Sequence, residues 1–147
     1  MKVDWAILSN GAELRENLAY VLGGGIDTVN TPQVPTAFMG AVLLRFLVHR
    51  SEAGRAHKAT LRIVEQDGRE IARLEAQFGV NAMTPDFPVE WEIPAMFAIN
   101  LHGLQLQREG EYAIEILGDD TYLTSLRFRV KLTTPPPQGP GSILPGG

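Results

Sequence analysis

The chain contains no cysteine, and that one absence removes disulfide staples, thiolate metal sites and cysteine nucleophiles together. Long apolar runs are missing too. The longest, Ala37–Val48, is interrupted by Arg45 and is too short to span a bilayer. The opening Met1-Lys-Val-Asp-Trp5 lacks the apolar core of a secretory leader, and no Asn-x-Ser/Thr acceptor occurs. A cytoplasmic location without membrane insertion is the resulting expectation. Basic runs are also absent. Thirteen Lys and Arg are scattered among seventeen acids, for a formal charge of −4, which argues against a nucleic-acid partner.

Chemistry-bearing spacings are equally scarce. His49, His57 and His102 fit neither H-x-x-x-H nor H-E-x-x-H, and no Gly-x-Ser-x-Gly elbow is present. Gly23-Gly24-Gly25 is not followed by Lys-Ser/Thr, and a dinucleotide pattern would need glycine at Thr28. The run reads more simply as a bulge or twist in a strand. His49 and His57 flank the Ser51–Ala56 connection and could lie near each other, as rim residues sooner than as ligands. Asp27, Asp86, Asp119 and Asp120 fall in expected loops. Calcium needs several oxygens converging on one point, whereas Asp119-Asp120 reads also as a turn. No cofactor, no metal and no catalytic residue is therefore expected.

What is present is a regular β pattern. With 147 residues, 44% hydrophobic and 20% charged, the chain suits one domain with an unstapled core. Val3–Leu8 reads as a strand ending in a turn at Asn10-Gly11, and Leu18–Leu22 as a second, continued by Ile26–Val29 beyond a bulge. Ala41–Arg50, apolar on both parities, reads as the longest and a central strand. Asp67-Gly68 reads as a two-residue hairpin turn with positive φ at both positions. It sets Ile63 opposite Ala72, Leu61 opposite Leu74 and Ala59 opposite Ala76. The other face pairs Lys58 with Gln77, Thr60 with Glu75 and Arg62 with Arg73, and the like-charged last pair calls for an acid nearby. Val89–Ile93 reads as a short edge strand and Phe97–Leu101 as another. From Arg108 to Val130, apolar residues alternate on both sides of Gly118-Asp119-Asp120, and Tyr112 stands where an immunoglobulin-like sandwich places its tyrosine corner. Ile114, Ile116, Leu126, Phe128 and Val130 are assigned to the core.

Asp4-Trp5-Ala6, the Leu18–Asp27 stretch ending Gly-Gly-Gly-Ile-Asp, Pro35, the Asp67-Gly68 hairpin and Gly110-Glu111-Tyr112 together resemble a family of short bacterial proteins classed as a domain of unknown function. The resemblance runs from residue 1 to about 132. It implies a stand-alone bacterial β-sandwich and transfers no catalytic residue.

The expectation is an all-β, antiparallel immunoglobulin-like β-sandwich of about seven to nine strands over residues 1–132. Residues 133–147, with five prolines and four glycines, read as a disordered tail. Within it, Pro137-Gln-Gly-Pro140 matches a P-x-x-P ligand formally and Ile143-Leu144 could dock in an apolar groove. The leading functional reading is a non-enzymatic module that binds a protein partner or assembles with itself as a homo-oligomer. Its candidate interface is Met83, Phe87, Trp91, Met96 and Phe97, because Met and aromatics gather there in a proline-punctuated edge. The alternative is a binder of small ligands, a glycan or a lipid headgroup, using end loops with or without calcium; an uncharacterised enzyme stands third.

Overall fold

In the computed structural model, residues 1–81 and 84–134 are described, and they form an all-β fold with one 3-10 turn at Arg50–Glu52. Eleven strands occur among them: β1 (Lys2–Arg15), β2 (Leu18–Gly24), β3 (Thr28–Thr31), β4 (Thr36–Phe38), β5 (Ala41–Val48), β6 (Ala56–Glu65), β7 (Glu70–Gly79), β8 (Ile93–Asn100), β9 (Leu104–Leu106), β10 (Gly110–Gly118) and β11 (Thr121–Leu132). One sheet runs β2-β1-β5-β8 and a second β3-β11-β10-β6-β7, while β4 and β9 pair separately. No helix among the described residues is long and apolar enough to cross a membrane.

The apolar faces of the two larger sheets meet in one core. Leu8, Val42, Leu44 and Phe46 come from the first sheet, and Leu61, Ile63, Ile114, Ile116 and Val130 from the second. The β4–β9 pair closes one end: Phe38 stacks on Phe128 at 5.0 Å, and Tyr112 lies on the far side of Phe128 at 5.2 Å. Strand β5 is central, between β1 and β8, as its double-sided hydrophobicity requires. Leu43, on the parity opposite the core row, is as fully buried as Leu44. Leu126, assigned to the core, packs partly buried against it.

The β6–β7 register is the one that the sequence predicts, from Lys58 opposite Gln77 to Ile63 opposite Ala72. Its turn differs. Gly68 takes positive φ (87°) and Asp67 does not; the Gly68 amide donates to the Glu65 carbonyl at 2.8 Å. The longer turn offsets the count by one residue, and a bulge after Ile63, where Val64 faces Glu70, restores it. The acid expected beside the Arg62–Arg73 pair is present: Glu70 reaches both guanidinium groups, at 3.0 and 2.9 Å.

Four other expectations are corrected. Asn10-Gly11 is no turn: β1 continues through it to Arg15, and the reversal falls at Glu16-Asn17, both at positive φ. Thr28–Thr31 does not extend β2 but crosses to the second sheet, where it runs parallel to β11, so that sheet is mixed and not purely antiparallel. The longest strand is β1, because β5 ends at Val48. Val89–Ile93 is not a strand: residues 89–92 lie in a loop, and Ile93 opens β8, which runs through Pro94 and takes in most of the Phe97–Leu101 strand. The other long side of β8 is unpaired, and an edge strand tolerates a residue without an amide hydrogen.

Candidate functional site

The predicted interface residues separate into different environments. Met83 lies outside the described residues. Phe97 belongs to an aromatic cluster at the β8 edge, 5.9 Å from Phe46 and 5.0 Å from Phe78, both from other strands. Its ring therefore covers the gap between the sheets. Met96 is half-buried on the same strand, opposite Arg45. Phe87 and Trp91 meet edge-to-face at 5.7 Å in the loop before β8. Arg50 holds that loop in place: its guanidinium lies 5.6 Å from the Phe87 ring centre and donates to the carbonyl of Pro88 at 2.7 Å. Trp91 is 60% exposed and Val89 still more so. Of the four that are described, Trp91 is the one that presents a large free surface.

Sequence reasoning missed a larger apolar display. Strand β2 is the outer strand of its sheet, and Leu18, Tyr20 and Leu22 are 59%, 52% and 76% exposed. They stand on one face of the pleat, since successive side chains alternate. With Gly11, Ala12, Glu13, Arg15 and Val21 of the same hairpin, Tyr20 and Leu22 line a shallow groove of about 490 Å³. The signal was readable. Leu18–Gly24 contains no charged residue and no proline, the two devices that usually protect an edge.

Each histidine has a hydrogen-bond partner within the fold. His57 is buried in β6, with Nδ1 2.8 Å from Asp119 Oδ2 and Nε2 3.0 Å from the Glu52 carbonyl. Both partners only accept, so both ring nitrogens carry hydrogen and the ring is an imidazolium. The hydrogen bond to Asp119 raises the His57 pKa above its ordinary 6.5, against the cost of burial. Burial likewise opposes ionisation of Asp119, but hydrogen bonds from His57 and the Lys58 amide outweigh it and hold this carboxyl below its ordinary 3.8. His49 has a partner on the same Arg50–Glu52 turn that His57 reaches. Its Nδ1 accepts from the Ser51 amide at 3.1 Å and caps the 3-10 turn. His102 Nε2 lies 3.3 Å from the Asn10 carbonyl. Asp120 pairs with Lys58 at 2.6 Å. Among the described residues, no three His, Asp or Glu side chains gather as a metal site.

One recess gathers polar groups of both charges. It holds about 410 Å³ and is lined by Asp27, Glu65, Glu111, Tyr112, Arg127 and Arg129 among others. Glu65 is buried there: Oε1 accepts from Arg69 at 2.9 Å, and Oε2 has no partner. The Tyr112 hydroxyl donates to the Arg108 carbonyl at 2.7 Å and accepts from the Arg108 amide at 3.2 Å, fixing the chain where it enters β10.

Comparison with curated proteins returns no match. A match to a family of unknown function covers residues 4–131, nearly the span that the sequence motifs indicated. The chain thus belongs to that family, DUF6941.

Proposed function

We propose that the protein is a non-enzymatic association module, an immunoglobulin-like β-sandwich that engages another polypeptide through an exposed sheet edge. One observation carries the reading: β2 leaves its outer backbone groups unpaired and displays Leu18, Tyr20 and Leu22 without a guarding charge or proline. Such an edge is a template for strand addition. The immunoglobulin-like assignment is supported by the two facing sheets and by the Tyr112–Arg108 contact, which has the form of a tyrosine corner. The non-enzymatic assignment is supported by His57, whose two nitrogens are both spent as donors and offer no lone pair for proton abstraction. Trp91 and Val89, on the loop pinned by Arg50, form a second surface within the same reading.

Native mass spectrometry of the protein gently isolated from the cells that make it tests this. The expected spectrum carries added polypeptide mass, a second copy or a different chain, which Leu18→Lys with Leu22→Lys removes. A protein that holds no other chain in native mass spectrometry and stays monomeric up to millimolar concentration would end the association reading.

A second reading has one observation in its favour. The recess beside Tyr112 is lined by Asp27, Glu65, Glu111, Arg127 and Arg129, carboxylates and guanidinium groups that a small polar ligand such as a glycan would engage. Ligand binding to the native state raises its stability. A glycan panel that leaves the melting temperature of the unaltered protein unmoved would remove this reading.

A further inference from the structure

We propose that the occupant of the β2 edge is β2 of a second copy of this chain, paired antiparallel about a twofold axis through Tyr20. The inference rests on the association reading above and names its partner.

The hairpin turn determines which backbone groups are free. Glu16 and Asn17, both at positive φ, form a two-residue turn closed by Arg15 opposite Leu18. Such a turn closes on a hydrogen-bonded pair, and these alternate with non-bonded ones along an antiparallel ladder. Glu13 opposite Tyr20 and Gly11 opposite Leu22 are therefore hydrogen-bonded pairs as well. The amides and carbonyls of Leu18, Tyr20 and Leu22 point inward to β1. Those of Ala19 and Val21 point out of the sheet.

An antiparallel partner must meet these outward groups with outward groups of its own. Setting Ala19 against Val21 of the second copy, and Val21 against its Ala19, does so with four hydrogen bonds. The same register places Leu18 against Leu22 and Tyr20 against itself. Leu-Ala-Tyr-Val-Leu is thus self-complementary in size and polarity about its central residue, as a twofold interface requires. Slipping two residues one way sets Leu22 against Glu16, and the other way sets Leu18 against Gly24. Neither alternative matches all three large side chains.

Charge permits the contact. The nearest charged side chains, Glu13 and Arg15, lie one strand inward and pair with each other at 2.9 Å. The two Glu13 residues of the joined sheet would stand three strand spacings apart, about 14 Å, which is beyond the screening length of about 8 Å at physiological salt. Gly23, at φ 63°, breaks the regular edge beyond Leu22, so the paired segment is short. The dimer is correspondingly weak and concentration-dependent.

The absence of cysteine supplies the experiment. The Tyr20 pair is non-hydrogen-bonded, with Cα atoms about 4.5 Å apart, within the range of roughly 4.4–6.8 Å that a disulfide spans. Under mild oxidation, Tyr20→Cys is expected to cross-link to itself. Leu18→Cys and Leu22→Cys are each expected to cross-link poorly alone but efficiently when mixed, a measurement that leaves Tyr20 in place. Sedimentation of the cysteine-free protein is expected to show a dimer whose association constant falls at least tenfold in Leu22→Lys. A dimer whose Leu18→Cys and Leu22→Cys forms give no mixed cross-link would overturn this pairing and leave association through another surface. A protein that stays monomeric at millimolar concentration, with no thiol form cross-linking, would overturn self-pairing; a different chain held on β2 in native mass spectrometry would still uphold the association reading.

Discussion

β2 and β7 hold equivalent positions, each the outer strand of a hairpin at the edge of its sheet, yet they face solvent with opposite chemistry. β7 carries Glu70, Arg73 and Glu75, tied into a charged lattice with Arg62. It is also anchored, because Phe78 near its end stacks on Phe46 at 5.9 Å and meets Phe97 and His57. β2 has neither the charges nor an anchor of that kind: Leu18, Tyr20 and Leu22 all point into solvent. Charges on an edge discourage further strand pairing. The contrast within one molecule shows that the fold guards one edge and leaves the other open.

The largest expected effect asks which edge the fold depends on. Phe78→Ala removes a ring packed between the two sheets and is expected to cost about 3 kcal/mol, near the low end for buried Phe→Ala changes because Phe78 is half-buried. Leu22→Ala removes a side chain that touches mostly water and is expected to change stability by less than about 0.5 kcal/mol. Denaturant unfolding at low micromolar protein, where a weak dimer has dissociated, compares the two. Equal costs would mean that β2 is part of the folding frame and not a surface held for a partner.

The second prediction concerns the anchored side alone. His57, opposite Phe78 on β6, has a raised pKa and Asp119 a lowered one. A raised histidine stabilises the fold fully below its ordinary 6.5 and loses that contribution as pH climbs through the folded value. A depressed carboxyl contributes fully above its ordinary 3.8 and loses its share as pH falls through the folded value. Both contributions are complete between those two ordinary values. Asp119→Asn, which suits the left-handed backbone at φ 49°, is expected to lower the melting temperature most in that window, with the deficit shrinking as pH rises past His57's folded value. A deficit independent of pH from 5 to 9 would show that the buried ring is not charged.

Much of this contrast was legible in the sequence, for definable reasons. The β6–β7 register was readable because alternation on both strands sets it and a one-residue slip would invert every side chain. The core rows of β10 and β11 were readable for the same reason. The β6–β7 turn is longer than the two-residue one read at Asp67-Gly68, and the bulge after Ile63 compensates. β1–β2 was misread because Asn10-Gly11 is a common turn pair, whereas the true turn, Glu16-Asn17, sets a glutamate in a conformation that Asn, Asp and Gly favour. That error truncated β1 and hid the edge display: Leu18, Tyr20 and Leu22 alternate as one uncharged row, but without the hairpin nothing places that row at a sheet edge. The parallel pairing of β3 with β11 joins residues about a hundred apart in the chain, and no local pattern encodes it. At the candidate interface, composition drew Phe97 and Trp91 together, while only the tertiary arrangement separates the ring that fills the sheet gap from the one that stays exposed.

The smallest effect sharpens the comparison at its turn. If β1–β2 is held beyond Asn10 by its ladder and reversal more than by packing, relieving the turn should stabilise that hairpin and little else. Glu16 sits at φ 51°, where an ordinary L residue pays an energetic penalty that Asn largely avoids. Glu16→Asn is therefore expected to stabilise the hairpin by roughly 0.5–1 kcal/mol, a slowing of about two- to fivefold in exchange of the inward amides of Leu18 and Tyr20. Amides of Leu61 and Ile63, deep in the second sheet, should exchange at unchanged rates where local opening governs them. Slowing shared equally by both sets would mean that the two hairpins open as one cooperative unit, so that the open edge and the guarded edge differ in surface chemistry and not in stability.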